Sequence, residues 1–384
     1  LPIYYQKLHN KNWSTDNSVI LKLEDKNGNT VAKYLALYNP EWTTHDKEIL
    51  TLTTFGYSVA HTLAIHNQNW MTDDKDILTI KDKYNTSVAH ELAMYNPDWT
   101  TEDKEILALK NNQGETVETL LYFQKAKSGT WQTNDKHLLC LANSEKQVIA
   151  YTLAIYNDNW ITEDKDILKL RNGGSYEISE TVAHVFAKTR PNWLTKDKEI
   201  LKLEHGGTSV AHLLALHNPD WTCTDEDILK LTDSNGWTVN QFLKQDRDTL
   251  LLKNEKGKAM AHYIAALPNI YFRCEDKEIL KLKNIIGKQV ALLLAENNPL
   301  WQTDDKEILC LEHEHVWGVA HRLAISNPNW QTNDKDILCL KKHGITVAHF
   351  LAQFNPNWSS TDEDILSLKN EDGVTVSELL TQRN

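Results

Sequence analysis

Residues 58–81 read SVAHTLAIHNQNWMTDDKDILTIK, and nearly the same wording returns as SVAHELAMYNPDWTTEDKEILALK at residues 87–110 and as TVAHFLAQFNPNWSSTDEDILSLK at residues 346–369. Tryptophans mark the copies, and the separations from Trp42 to Trp70 and from Trp70 to Trp99 are 28 and 29 residues. A fixed period of this length is typical of repeat proteins. A catalytic site needs a single constellation of residues, so a sequence motif that occurs about thirteen times indicates a structural unit.

The first half of each copy is typical of an amphipathic helix. Ser58 is its predicted cap, since a serine hydroxyl can accept hydrogen bonds from the unpaired N–H groups of the first turn. Val59 and Leu63 are four residues apart and therefore share one face, which we expect to be buried. The NP pair that follows, as in YNPEW around Pro40, is predicted to end the helix because proline cannot continue it.

The second half predicts another short helix and then a turn. Thr44 stands two residues after Trp42 and is the predicted cap, while Asp46 favours the positive end of the helix dipole. A glycine such as Gly56 permits the turn back toward the next copy. The tryptophan ring is expected to seal the space between neighbouring copies. The predicted buried face of the second helix consists of Ile49, Leu50 and Leu52.

The fold class predicted for the chain is all-α, an α solenoid of about thirteen stacked helix-turn-helix repeats. One helix pair cannot bury both of its faces alone, so adjacent pairs must stack. We expect a single solenoid over residues 1–384, with irregular units where the repeated wording breaks down. Its predicted parts are an N-terminal cap and first repeat (1–42), regular repeats (43–231) with irregular units near 110–131 and 171–181, a compressed irregular unit (232–272), regular repeats (273–358) and a C-terminal cap (359–384).

The repeat unit resembles the ankyrin repeat. TVAH-x-L-A is similar to that family's Thr-Pro-Leu-His-x-Ala helix opening, and the order helix, turn, helix, glycine hairpin is the same. The unit departs from the family in its period of 28 or 29 rather than 33 residues, in its valine for proline, and in its NP-x-W turn. The GWTV at residues 236–239 is also similar to tandem repeats of uncharacterised bacterial proteins. The resemblance implies an ankyrin-like solenoid, binding to proteins, and an intracellular bacterial protein or one delivered into a host cell.

The tryptophans and the histidines of the VAH slot are interpreted as structural. Each histidine is expected to bridge the loops of adjacent units, as the resemblance to ankyrin implies. A metal ladder is not expected, because neighbouring copies lie a helix spacing apart while bonds to zinc are about 2 Å long. No cofactor is predicted. The structural positions are Trp42, Trp70, Trp99, Trp160, Trp193, Trp221, Trp301, Trp330, Trp358, His61, His90, His184, His212, His321 and His349.

The slot four residues before each tryptophan is the predicted partner-binding site. Its occupants vary while the framework around them stays fixed, and several are aromatic, which is typical of a surface that reads a protein partner. The alternative is that this slot packs against the next unit. The candidates are Tyr38, His66, Tyr95, Tyr156, His217 and Phe354, and Ser326 occupies the same slot.

The composition of the chain disfavours some classes of binding partner and favours one cellular compartment. The formal net charge of −12 disfavours nucleic acid and acidic membranes, whose binding depends on basic residues. No apolar stretch approaches the roughly 20 residues of a membrane-spanning helix. Five widely spaced cysteines, an odd number, favour free thiols and hence the cytoplasm. The chain begins at Leu1 without methionine, so a removed leader stays open.

The sequence contains a repeated structural motif and no known catalytic motif, which favours recognition over catalysis. No G-x-S-x-G, P-loop, H-E-x-x-H or paired CxxC motif occurs, and the chain is not expected to be an enzyme. The predicted function is a protein-recognition scaffold that uses one long face of the solenoid. Two alternatives stay open. One is a structural or self-associating repeat protein, such as a surface or filament component; the other, disfavoured by the acidic charge, is a repeat-based nucleic-acid binder.

Overall fold

The computed structural model describes residues 13–173, 179–267 and 271–383. These residues divide between two compact units, which fall within Leu1–Phe186 and Ala187–Asn384. In each unit, long and short helices alternate along the chain. Within the described ranges, no helix is both long enough and apolar enough to cross a bilayer. The predicted cap 1–42, the irregular segment 171–181 and the compressed unit 232–272 lie partly outside the described residues, and so does the last residue of the predicted C-terminal cap.

The long helices correspond to the predicted first helices, and most have eight residues. The predicted cap is confirmed at Ser58, whose Oγ accepts a hydrogen bond from the backbone N–H of His61 at 3.2 Å. The long helices are Val31–Tyr38, Val59–His66, Val88–Tyr95, Val117–Lys127, Ile149–Tyr156, Val182–Thr189, Val210–His217, Val239–Lys244, Met260–Ala265, Val290–Asn297, Val319–Ser326, Val347–Phe354 and Val376–Arg383.

The short helices correspond to the predicted second helices and contain little more than one turn. Each contributes one or two branched apolar residues to the core, as Ile49 and Leu50 do. The short helices are Ser18–Leu21, Lys47–Leu50, Lys75–Leu78, Lys104–Leu107, Lys136–Cys140, Lys165–Leu168, Lys198–Leu201, Glu226–Leu229, Arg247–Leu251, Lys277–Lys281, Lys306–Leu309, Lys335–Leu338 and Glu363–Leu366.

The predicted cap of the short helix is wrong by two residues. Asp46 is the N-cap, and its Oδ1 accepts a hydrogen bond from the backbone N–H of Glu48 at 2.9 Å. Thr44 instead accepts a hydrogen bond from the N–H of Asp46 at 3.2 Å and fixes the chain before the helix begins. Since the helix starts only at Lys47, the hydroxyl of Thr44 lies too early in the chain to reach its first turn.

Tight hairpins join most of the short helices to the next long helix. Three of them form two-stranded antiparallel sheets: Thr53–Thr54 with Tyr57–Ser58, Glu204–His205 with Thr208–Ser209, and Lys341–Lys342 with Ile345–Thr346. In the first, Thr53 lies opposite Ser58. Other copies keep a single bridge in the same place, as between Lys81 and Ser87. The strands are short, so the helical class predicted from the repeat holds.

Consecutive long helices pack side by side within each unit, which confirms a repeated helical arrangement. The shared faces are lined by small and branched residues such as Ala60 and Leu63, which are fully buried. In the first unit, the series of contacts runs from Val31–Tyr38 through Val59–His66, Val88–Tyr95 and Val117–Lys127 to Ile149–Tyr156. In the second unit, a series runs from Met260–Ala265 through Val290–Asn297, Val319–Ser326 and Val347–Phe354 to Val376–Arg383.

The tryptophans lie in the turn between a long and a short helix, and they join one repeat to the preceding one. Trp70 is only 1 % exposed, and its indole N–H donates a hydrogen bond to the carbonyl of Thr44 at 3.1 Å. Trp99 donates to Thr72 over the same distance. The structure buries Trp42, Trp70, Trp99, Trp160, Trp193, Trp221, Trp301, Trp330 and Trp358.

Asparagine, rather than the predicted proline, marks the end of the long helix. Asn67 follows Val59–His66 in an extended conformation, and the residue after it is glutamine. The side-chain N–H of Asn67 donates a hydrogen bond to the carbonyl of Trp42 at 2.9 Å, and its Oδ1 accepts one from the N–H of Asn69 at 3.0 Å. Copies with and without proline therefore end alike, because the asparagine side chain holds the turn.

Candidate interaction surface

The histidine of the VAH slot connects its own helix cap to the next hairpin. In His61, Nδ1 lies 2.7 Å from Oγ of Ser58 and Nε2 lies 3.1 Å from the carbonyl oxygen of Thr86. A carbonyl can only accept, so Nε2 carries the proton and Nδ1 accepts the hydrogen bond from the hydroxyl of Ser58. The ring is therefore a neutral bridge between two repeats, and its burial lowers the pKa of His61.

The same bridge recurs in other copies. The Nε2 atom lies 3.3 Å from the carbonyl oxygen of Glu115 in His90 and 3.1 Å from that of Trp237 in His212. In His349 it lies 3.2 Å from the carbonyl oxygen of Val374. Within the described residues, no group of three or more potential metal-ligating side chains converges. The predicted structural histidines His61, His90, His184, His212, His321 and His349 are all buried.

Lysines of the short helices form charged pairs with the following repeat. The Nζ of Lys47 lies 2.6 Å from a carboxylate oxygen of Asp74 and 3.1 Å from one of Asp76. These carboxylates raise the pKa of Lys47, and the lysine lowers the pKa of Asp74. The pairs are solvent-exposed, and exposed pairs stabilise a fold only weakly. They line up the short helices but offer no chemistry of their own.

Most of the predicted partner-binding residues are exposed. Tyr38 is 46 % exposed and Tyr156 is 52 % exposed, and Tyr95, Phe354 and His66 are exposed as well. His217 and Ser326 are only half-buried. Each is the last residue of its long helix, just before the buried asparagine. The asparagine side chain bonds to the preceding repeat, whereas the residue before it, the last of the helix, is exposed in most of these copies.

A second row of apolar residues lies beside the aromatic one in the first unit. It occupies the next-to-last position of each helix, where Leu37 and Ile155 are exposed and Ile65 and Met94 are half-buried. This row was not predicted from the sequence. It could have been, because these apolar residues lie outside the helix face that was predicted to be buried. We call the two rows together the helix-end band; it consists of Leu37, Tyr38, Ile65, His66, Met94, Tyr95, Ile155 and Tyr156.

A cavity of about 260 Å³ opens in the band beside Tyr95. Met94 and Tyr95 form one side, and Leu120, Phe123 and Lys127 form another. The helix that supplies these three, Val117–Lys127, is the longest one described, and it ends at Ser128 rather than at an asparagine. The irregular unit predicted near 110–131 thus adds to the band a recess with both apolar and polar walls, the polar side chains including Glu115 and Gln124.

A buried carboxyl group lies one helical turn before Tyr95. Glu91 belongs to the same helix, and burial raises the pKa of its side chain to about 7, with the negative charge of Asp82 adding to the effect. Near neutral pH, this side chain therefore exchanges between its charged and uncharged forms beneath the exposed helix end.

No protein-family model matches the chain, and no curated protein matches it either. The likeness to ankyrin repeats therefore depends on the repeated residues alone.

Proposed function

We propose that the protein is a scaffold that binds a protein partner along the helix-end band of the first unit. The observation that supports this most strongly is the exposure of Tyr38, Tyr95 and Tyr156 at matching helix ends, each followed by a buried asparagine that is hydrogen-bonded to the preceding repeat. Aromatic side chains on a rigid support are the residues that dominate binding energy at protein interfaces.

The cavity beside Tyr95 supports a protein rather than a small molecule as the occupant of the band. Its volume of about 260 Å³ is smaller than the roughly 300–1,000 Å³ of small-molecule pockets. Such a recess suits a single side chain of a partner, with Phe123 at its floor and Lys127 at its rim. Fully desolvated recesses of this kind hold the anchor residues of interfaces.

The proposal includes an ankyrin-like stack of repeats in each unit. The side-by-side long helices, the hairpins and the histidine that links a cap to the next hairpin support it. A stacked array presents the same helix position repeatedly, which gives an extended surface for a partner. We further propose that the chain has no enzymatic activity and acts in the cytoplasm, where its five free cysteines would stay reduced.

The experiment uses the full chain as bait in cell lysates, beside the triple variant Tyr38→Ala/Tyr95→Ala/Tyr156→Ala. The matched control is Phe55→Ala/Tyr84→Ala, which removes two exposed aromatic rings from hairpins instead of helix ends. Circular dichroism first establishes that both variants are folded. We expect the parent and the control to capture the same protein, and the triple variant to bind it at least about tenfold more weakly.

Other outcomes point to the alternative functions. Equal capture by the triple variant would contradict recognition through the band. Concentration-dependent light scattering without a captured partner would favour a self-associating structural protein. A salt-sensitive mobility shift with RNA would favour a nucleic-acid binder.

A further inference from the structure

A second, larger cavity lies in the second unit, between the neighbouring hairpins of residues 253–259 and 283–289. Its volume is about 670 Å³, within the roughly 300–1,000 Å³ of pockets that bind small molecules. Leu251, Leu282 and Ile286 give it apolar walls. The cavity belongs to the compressed part of the repeat array and shares no residue with the helix-end band.

The cavity is positively charged although the chain as a whole carries a net charge of −12. Four lysines line it, namely Lys253, Lys256, Lys258 and Lys283, and its lining contains no carboxylate. Within the described part of the chain, none of these four lysines forms a salt bridge, whereas Lys277 and Lys306 of the short helices are paired with aspartates. Their charges therefore remain available to an anion.

His262 bonds differently from the other histidines of its slot. The Nε2 of His61 donates to Thr86, the residue just before the next helix cap. The Nε2 of His262 donates instead to the carbonyl of Leu282 at 2.9 Å, at the opposite side of the following hairpin. His90 also interacts with the equivalent leucine carbonyl, that of Leu109, and His262 with that of Lys288, so the histidine at the cavity keeps both contacts but lies nearer to the leucine side of the hairpin.

The capping hydroxyl is also missing at this place. Ala259 stands where most repeats with a histidine in this slot carry serine or threonine, and Nδ1 of His262 has no hydrogen-bond partner although the residue is only 2 % exposed. Both residues line the cavity. A buried polar atom without a partner is unusual in a folded protein, and a bound ligand is one way to satisfy it.

We propose that this cavity binds a small molecule with an apolar body and an anionic head group. The apolar body packs against the walls formed by Leu251, Leu282 and Ile286, and the lysines neutralise the head group. Because Nε2 of His262 donates to Leu282, its Nδ1 can only accept, so a protonated oxygen or another donor of the bound molecule replaces the hydroxyl that Ser58 supplies to His61. This inference does not rest on the proposed recognition of a protein partner.

The test is calorimetric titration of the full chain with 2-naphthyl phosphate, which combines both ligand features. Inorganic phosphate and 2-naphthol each carry only one of them. We expect 2-naphthyl phosphate to bind at least about tenfold more tightly than either, because charge and apolar contact contribute together. No binding of 2-naphthyl phosphate, or equal affinity for inorganic phosphate, would overturn the proposal.

Two pairs of variants locate the site. Lys253→Ala/Lys283→Ala should weaken binding about tenfold, whereas Lys81→Ala/Lys110→Ala, which removes exposed lysines from the same hairpin slot in the first unit, should leave it unchanged. Ile286→Ser should also weaken binding, and Ile161→Ser, at another exposed isoleucine, should not.

The outcome of these pairs decides between a built site and general attraction to positive charge. Equal losses in a variant and its control would overturn the proposal. As a direct readout of place, side-chain nitrogen signals of His262 should shift in nuclear magnetic resonance spectra during the titration while those of His61 stay fixed. If the signals of neither histidine shift, the ligand does not lie against His262 and the proposal is contradicted.

Discussion

Residues 58–110 and residues 232–267 are built from the same kinds of helix, yet they satisfy their polar groups differently. In the regular region, Ser58 pairs Nδ1 of His61, and Asn67 pairs a carbonyl of the preceding repeat. In the compressed region, Ala259 leaves Nδ1 of His262 unpaired, and a single residue, Gln245, separates one long helix from the next N-cap. The comparison shows that the missing cap hydroxyl, the unpaired Nδ1 and a cavity between hairpins occur together at His262.

Acid should produce the largest effect, because it acts on all the bridging histidines together. Burial lowers the pKa of His61, His90 and His212, and lowers that of His321 to about 4. The stability that these groups provide is fully present above pH 6.5 and is lost as the pH falls below 6.5, which for His321 continues to about 4. We expect a loss on the order of 1 kcal/mol per buried histidine, measured by chemical denaturation at pH 7.5 and 5.

A control for this pH dependence comes from the aspartates. The pKa of Asp74 and of Asp103 is lowered by their lysine partners, so these groups lose their contribution only below the ordinary value of 3.8. Equal stability at pH 7.5 and 5 would show that the histidine bridges do not hold the regular repeats together.

Removal of a tryptophan should be the most damaging single substitution. Trp70→Ala removes a buried indole and its hydrogen bond to Thr44, and should lower the free energy of unfolding by about 3–5 kcal/mol. Tyr84→Ala, at an exposed ring of the same region, should change it by less than about 0.5 kcal/mol. Urea denaturation compares the two, and a neutral Trp70→Ala would mean that the turn does not join repeats.

Replacement of the asparagine of the turn should lower the stability of the protein much more than replacement of the proline. Asn67→Ala leaves the buried carbonyl of Trp42 without its partner and should cost about 1–3 kcal/mol. Pro97→Ala changes an exposed residue of the equivalent turn and should cost less than about 0.5 kcal/mol. A larger loss for the proline variant in thermal denaturation would restore proline as the residue that ends the helix.

Exchange of the cap residues between the two regions should give small effects of opposite sign. Ser58→Ala makes His61 resemble His262 and should destabilise the fold by about 1 kcal/mol. Ala259→Ser supplies the missing hydroxyl to His262 and should stabilise it by up to about 1 kcal/mol. Melting temperatures measure both. If Ala259→Ser destabilises the protein, the unpaired nitrogen is not what distinguishes the compressed region.

The sequence predicted those features that depend on neighbours along the chain. The repeat period, the cap at Ser58 and the apolar stripe through Val59 and Leu63 follow from local rules, and the structure bears them out. The errors were also local: a hydroxyl at Thr44 and a carboxylate at Asp46 both suit a cap, and only the start of the helix at Lys47 distinguishes them. Asparagine was overlooked because its partner, the carbonyl of Trp42, lies in another repeat.

The sequence by itself determined a helical repeat with caps and turns at fixed places, because each of these depends mainly on residues within about one copy. Only the tertiary structure decided which apolar residues stay uncovered, such as Tyr38 and Leu37, and where lysines of separate hairpins meet around His262. The physical reason is that apolar residues occupy several sides of an eight-residue helix. Which of them are exposed depends on how neighbouring repeats pack, and no single copy specifies that.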